Sequence, residues 1–206
     1  MKHGVRPLTL VLAAGLVLAA PAAAHAAPRC GSAKGHTVEA TSKARVYERG
    51  GVVLACARGS HRRYRLGGAA GTCEGSSSGC RVIERVRAAG SFVAYADVTS
   101  GGAYGDERFS LFLLDVATGT RWMRLNFGVP GVEDARLNRL ALRATGDLAW
   151  TTTRGATVEV WRGGVCSPAV LDAAPEIDGG SLTRHGTTIA WRHGAERRTT
   201  EICPGG

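Results

Sequence analysis

The chain has 206 residues and a formal net charge of +9, most of it supplied by arginine. The arginines are scattered and not massed in one tract, which favours an ordinary soluble surface over one that attracts anionic cell-wall polymers, and we expect no nucleic-acid partner. After residue 26 no stretch is long and apolar enough to cross a bilayer, which excludes a membrane span in the rest of the chain.

The first 26 residues have the pattern of a secretory signal peptide. Lys2 and Arg6 precede a short apolar run over residues 8–20, and the small residues around His25 predict cleavage after Ala26. Without Lys2 and Arg6 the net charge falls to about +7. We therefore predict an exported protein whose residues 27–206 are long enough for a single domain.

The predicted mature domain contains six cysteines: Cys30, Cys56, Cys73, Cys80, Cys166 and Cys203. An even number in an exported chain favours disulfides, because oxidising compartments preserve them. The sequence contains no C-x-x-C pair and no histidine at ligand spacing beside these cysteines. We therefore favour disulfides over a zinc site and expect no cofactor.

The pairing of the six cysteines is open, because six cysteines allow fifteen connectivities. Residues 74–79 form a Gly- and Ser-rich loop between two of the cysteines, which can close locally. The favoured pairs are Cys30–Cys56, Cys166–Cys203 and the local Cys73–Cys80. The rival pairing, Cys30–Cys203, would connect the two ends of the domain.

A short phrase recurs four times along the chain: a glycine turn, an aliphatic residue, an alanine and a bulky residue. Its alanines are Ala55, Ala94, Ala149 and Ala190, which are 39, 55 and 41 residues apart. The residues that follow them are Cys56, Tyr95, Trp150 and Trp191. Internal repeats of about 40–50 residues are typical of propellers, solenoids and arrays.

Short predicted strands surround every copy of the phrase, separated by residues that favour turns between antiparallel neighbours. The strands before it are 45–47, 83–86, 140–142 and 181–183, and those after it are 63–66, 109–114, 157–161 and 198–202. Two copies add a fourth strand, at 121–125 and 166–171, whereas the first has the loop between Cys73 and Cys80 in its place. Residues 37–40 can supply a missing strand and close a ring. Residues 134–142 show helix-like apolar intervals but align with a strand.

Side chains alternate faces along a strand, so the alanine of each phrase points away from the face of its large neighbours. A small residue on one face suits a sheet that is packed closely on both sides, as stacked blades are. The odd copy carries Cys56 where the others carry an aromatic residue, and a disulfide can compensate for that loss.

Residues 111–122 resemble the outer hairpin of bacterial β-propeller repeats: an apolar strand ends at Asp115, a Thr118-Gly119 turn follows, and a second strand returns. Asp115 can accept hydrogen bonds from turn amides, and Gly119 can adopt a positive φ. As a pattern, most of the mature chain is similar to small secreted propeller-like proteins of unassigned function. The resemblance implies an all-β fold of about four propeller-like blades of antiparallel β-meanders. An open stack of meanders and a β-sandwich are the alternatives.

Catalytic motifs are few. The sequence contains no G-x-S-x-G, H-E-x-x-H or P-loop pattern, and His185 and His193 lie in predicted turns, where we expect solvated side chains. The acidic pairs are Asp106–Glu107, Glu133–Asp134 and Glu176–Asp178, all expected in solvated loops. Tyr104, in an enlarged Gly-rich loop, is expected at a hairpin tip. The tryptophans Trp122, Trp150, Trp161 and Trp191 all fall in predicted strands, where we expect them in the core.

These observations favour a secreted, non-catalytic binding module that acts at the cell envelope or outside the cell. The sequence does not identify its binding residues or its partner, for which a protein or an anionic cell-wall polymer are both open. The alternative is a small exported hydrolase or lyase whose carboxylates converge from separate loops.

Overall fold

The computed structural model describes residues 29–70, 80–100, 108–127 and 135–203. Within these ranges the chain forms fifteen β-strands, one short 3₁₀ turn at Cys30–Ser32 and no α-helix, which confirms the all-β class. The predicted signal peptide and its cleavage site lie outside the described residues. No helix in the described part of the chain is long and apolar enough to cross a membrane.

The strands follow one another as four antiparallel meanders. The first contains β1 (His36–Ala40), β2 (Ala44–Arg49), β3 (Val52–Ala57) and β4 (Tyr64–Gly68). The second contains β5 (Cys80–Ala89), β6 (Phe92–Ser100), β7 (Arg108–Asp115) and β8 (Thr120–Phe127). The third contains β9 (Ala135–Leu142), β10 (Asp147–Arg154), β11 (Thr157–Gly164) and β12 (Ala169–Ala174). The fourth contains β13 (Ile177–His185), β14 (Thr188–His193) and β15 (Glu196–Glu201).

Three sheets contain these meanders, because the first two are joined by a single residue pair, Gly68 with Val82. The predicted strands are found, although the one predicted at 166–171 lies at Ala169–Ala174, and residues 135–142 form β9 despite their helix-like pattern. In the described residues no sheet closes into a ring or barrel.

The first copy of the repeated phrase occupies a different place from the other three. It lies on β3, the third strand of its meander, whereas the later copies lie on the second strands β6, β10 and β14. The shift arises because residues 37–40 belong to β1, which pairs with β2 at the start of the first meander. Residues 37–40 thus supply the fourth strand of the first meander, and β1 does not extend the last sheet.

The meanders pack in chain order, and the repeated alanine marks the packing direction. Ala55 shares a core with Tyr95 of the second meander, and Ala94 shares the next core with Trp150 of the third. Ala149 shares a third core with Trp191 of the fourth meander. Each small residue thus faces the following meander, and the bulky residue after it faces the preceding one. The second and third meanders are therefore packed on both faces, as expected for stacked sheets.

The hairpin between β7 and β8 has the turn that the sequence predicts. The Ala117 amide and the Thr118 hydroxyl donate to the Asp115 carboxylate, at 3.0 and 3.1 Å. Gly119 has a φ of +85°. A Cβ there would come within 2.6 Å of the Tyr64 hydroxyl of β4, so both the backbone and the space require glycine.

Two of the favoured disulfides are present, and the rival Cys30–Cys203 pairing is wrong. Cys30 is bonded to Cys56, and Cys166 is bonded to Cys203. Cys73 lies outside the described residues, so its pairing with Cys80 stays a prediction. The first bond holds residues 29–35, which we call the N-terminal cap, against the first meander. The second bond ties the fourth meander to the third.

Arg45 of β2 anchors the N-terminal cap from beneath. Its side chain donates to the carbonyl oxygens of Cys30, Gly31, Ala33 and Gly35, at 2.8–3.4 Å, and to the Thr37 hydroxyl at 3.0 Å. The residue is 9% exposed. A buried arginine is stable here because carbonyl oxygens, in place of a carboxylate, satisfy its donors.

The first strands of the meanders lie side by side. The Thr41 hydroxyl, just after β1, donates to the Gly90 carbonyl at the end of β5, at 2.7 Å. Gly90 also lies directly against Ala144 at the end of β9. Residues near the ends of β5, β9 and β13 consequently line one shared cavity.

Candidate ligand-binding surface

Several predicted candidates cannot contribute to a described site. Tyr104, Asp106, Glu107, Glu133 and Asp134 all lie outside the described residues. The remaining pair, Glu176 and Asp178, is exposed as expected. One Asp178 oxygen accepts the Gly180 amide at 2.9 Å.

Three of the four tryptophans are packed, and one is not. Trp150 is fully buried, Trp191 is 5% exposed, and Trp161 is half-buried and stacks on Trp150 with ring centroids 5.8 Å apart. Trp122 is 52% exposed, so its expected place in the core is wrong. It lies on β8, an edge strand of its meander, and alternation points its neighbour Met123 into the core instead.

The two candidate histidines have different environments. His185 is exposed at the end of β13, as expected. His193 is wrongly expected to be a solvated turn residue, because its Nδ1 lies 3.0 Å from an Asp172 oxygen and its side chain is only 24% exposed. Asp172 belongs to β12, so this contact connects the third and fourth meanders.

Asp172 is the centre of a polar cluster at that junction. The same carboxylate oxygen accepts the Trp191 indole N–H at 2.7 Å and an Arg198 N–H at 2.9 Å. Burial alone would raise the pKa of Asp172, but the bonds from His193, Trp191 and Arg198, with the charge of Arg198, hold the pKa below its usual value. Only 9% of its side chain is exposed.

This cluster contains an Asp–His pair, which is part of the arrangement that nucleophilic enzymes use. In the described residues no serine, threonine or cysteine is hydrogen-bonded to His193. Every partner of Asp172 comes from the fourth meander, and Trp191 is itself a core residue. We therefore interpret the cluster as the polar part of the junction between two meanders.

The cavity beside the first strands is a groove of about 480 Å³. Arg87 from β5, Arg139 from β9, and Arg184 with His185 from β13 contribute its polar groups. Alanine, leucine and threonine residues of the same strands complete the lining. We call this cavity the basic groove. Its volume falls in the range of ligand sites, about 300–1,000 Å³.

The basic groove contains positive charge without a compensating carboxylate. No aspartate or glutamate lines it. In the described part of the chain, Arg87, Arg139 and Arg184 form no salt bridge. Arg87 donates to the Val86 carbonyl at 3.0 Å and Arg184 to the Gly186 carbonyl at 3.2 Å. These bonds orient two guanidinium groups and leave most of their five N–H donors for a ligand.

Irregularities in all three strands accompany the groove. The pairing of β5 shifts between Glu84 and Arg87, where Arg85 has a φ of +51°. The pairing of β9 shifts at Asn138, and that of β13 shifts between Asp178 and Thr183. Bulges bend a strand and redirect its side chains, and they occur often beside functional sites. Here each shift comes before the arginine that its strand contributes.

Sequence reasoning missed the basic groove, because its arginines are 52 and 45 residues apart and form no tract. Arg87 and Arg184 lie three and two residues before the turn glycines Gly90 and Gly186, but Arg139 lies seven residues before Gly146, so the repeat does not place the three at equivalent positions.

Comparison of the chain with protein-family models and with curated proteins finds no match. In the described residues no group of three or more histidine, cysteine, aspartate or glutamate side chains is placed to hold a metal ion. The two described disulfides are compatible with an oxidising, extracytoplasmic location.

Proposed function

We propose that the protein is an extracytoplasmic, non-catalytic binding module that holds an anionic ligand in the basic groove. The observation that carries this proposal is the groove itself: three arginines from three meanders, with no carboxylate in the lining. The four meanders would act as propeller-like blades of an open stack, with their first strands forming the binding side. The predicted signal peptide and the two disulfides support export.

Arginine suits this role because its planar guanidinium can give a phosphate or carboxylate two parallel hydrogen bonds. Neither Arg87 nor Arg184 bonds to a side-chain acceptor in the described residues, and their carbonyl contacts limit their rotation. A ligand would therefore meet partly ordered donors, which reduces the entropy lost on binding.

The test uses the protein purified after secretion and pyrophosphate as the anion probe, with affinity measured by calorimetry over a range of salt concentrations. The triple variant Arg87→Gln, Arg139→Gln and Arg184→Gln should lose at least tenfold in affinity. A charge-matched control changes three exposed arginines of the first meander to glutamine: Arg49, Arg62 and Arg65.

We expect the control to bind within about threefold of wild type, because charges beyond a Debye length of about 8–10 Å are largely screened. Equal losses in both triple variants would show that net charge, and not the groove, attracts the anion. Absence of pyrophosphate binding by the wild type would overturn the proposal. Turnover of a glycoside or ester would instead favour the exported hydrolase or lyase.

A further inference from the structure

The basic groove has a neighbour on the other side of strand β13. A second cavity, of about 250 Å³, lies on the face of the fourth meander that points away from the third, which we call the outer face. Thr183 and His185 line both cavities. Since β13 is the edge strand of its sheet, the two cavities meet around that edge.

Two arginines line the second cavity, although Asp178 and Glu201 occupy the same face of the sheet. Arg192 of β14 and Arg197 of β15 are directly paired neighbours, both exposed, and both line the second cavity. No aspartate or glutamate lines it. Asp178 lies opposite Arg192 across β13 and β14, but in the described residues neither Arg192 nor Arg197 forms a salt bridge.

The repeat explains why none of the described meanders covers this face. Ala55, Ala94 and Ala149 each face a following meander, whereas Ala190 belongs to the last one and lines the second cavity. Ala190 itself is only 4% exposed. Its cross-strand partners Thr183 and Thr199 are exposed, and polar groups here suit contact with water or a charged ligand.

We infer that the ligand of the basic groove is a linear polyanion, a chain of phosphate or carboxylate groups that passes over β13 and continues along the outer face. This inference rests on the proposed function and deepens it. A single small anion can reach the donors on one side of β13 only. A chain can engage Arg87, Arg139 and Arg184 in the groove and then, past His185, the pair Arg192 and Arg197.

The lining favours a chain without bases. Single-stranded nucleic acids bind to exposed aromatic side chains on which the bases stack. The basic groove has no aromatic residue in its lining other than His185, and the aromatic residue of the second cavity, Trp191, is packed inward with its indole N–H bonded to Asp172. Repeated charges are therefore the feature that this surface can recognise.

The experiment compares pyrophosphate, tripolyphosphate and long-chain polyphosphate on wild type, the groove triple variant and the outer pair Arg192→Gln and Arg197→Gln. The outer variant should bind pyrophosphate within about twofold of wild type and lose at least tenfold for the long chain. For the long chain, the slope of log affinity against log salt concentration should become less steep by about 1.4–1.8. Each neutralised phosphate contributes about 0.7–0.9 to that slope, and the variant removes two arginines. Thermal melts of all variants check folding, and the pair Arg62→Gln and Arg65→Gln is the charge-matched control.

Different failures have different meanings. If the outer variant binds the long chain as wild type does, while the groove variant still loses pyrophosphate, the linear-chain inference is wrong and the proposed function stands. If wild type binds no anion, both are wrong. Polygalacturonate tests whether carboxylates serve as well as phosphates. A single-stranded oligonucleotide that binds more tightly than polyphosphate of equal charge would overturn the choice of a chain without bases.

Discussion

The two ends of the stack face the solvent in different ways. On the first meander, the N-terminal cap covers the outward face, with Cys30 bonded to Cys56 and Arg45 holding four cap carbonyls. On the fourth meander, the outward face exposes Arg192 and Arg197. Arginine thus serves as a buried anchor at one end and as a free cation at the other.

This difference indicates where a ligand can bind. A buried arginine whose donors are taken up by carbonyl and hydroxyl oxygens is structural, because no donor is left for a ligand. An exposed arginine without a carboxylate partner adds little to stability and remains available to a ligand. The same residue type therefore has opposite expected effects on stability and on binding at the two ends.

The largest expected effect is at the capped end. Arg45→Met should lower the free energy of unfolding by about 4 kcal/mol, because several buried carbonyl oxygens lose their donor together. The matched control, Arg192→Met on the outer face, should change it by less than about 0.5 kcal/mol. Urea denaturation measures both. Similar losses for the two variants would show that the ends do not differ in this way.

The repeated alanine gives a second test of the same contrast. Ala149→Leu should destabilise by about 2–3 kcal/mol, because its fully buried face packs against the fourth meander and an added side chain forces strain there. Ala190→Leu should cost less than about 1 kcal/mol, since no meander of the described residues covers the outer face. The two variants are compared by their urea denaturation midpoints, provided that the free energy of unfolding depends equally on urea in both. A greater loss of stability for Ala190→Leu would indicate that a partner sheet covers this face.

A smaller effect is expected at the Asp172 cluster, which joins the exposed fourth meander to the third. Asp172→Asn should cost about 1.5 kcal/mol at neutral pH, since the acceptor of the hydrogen bonds from His193 and Arg198 loses its negative charge and those bonds weaken.

This loss should depend on pH. The folded state lowers the pKa of Asp172, so its stabilisation is fully present above the unfolded pKa of about 3.9 and is lost as the pH falls through the folded pKa. The difference between wild type and Asp172→Asn should therefore shrink in acid. A difference that stays constant from pH 7 to pH 2 would show that the carboxylate charge does not contribute.

Local features of the chain were predictable because they depend on neighbours in sequence. Glycine turns and alternating side chains define the strands, and the Asp115–Gly119 turn follows from the conformations that those residues favour. The cysteine pairs Cys30–Cys56 and Cys166–Cys203 followed from proximity and elimination. By itself, then, the sequence determined an all-β chain of repeated meanders with a small residue on one packed face.

Only the tertiary structure decided what the meanders bring together. Arg87, Arg139 and Arg184 form one groove because three first strands lie side by side, which no local pattern encodes. His193 meets Asp172 for the same reason, across two meanders. The exposure of Trp122 depends on its being on an edge strand. Long-range packing sets each of these contacts. The strands and meanders could therefore be predicted from the sequence, whereas the candidate binding surface required the assembled fold.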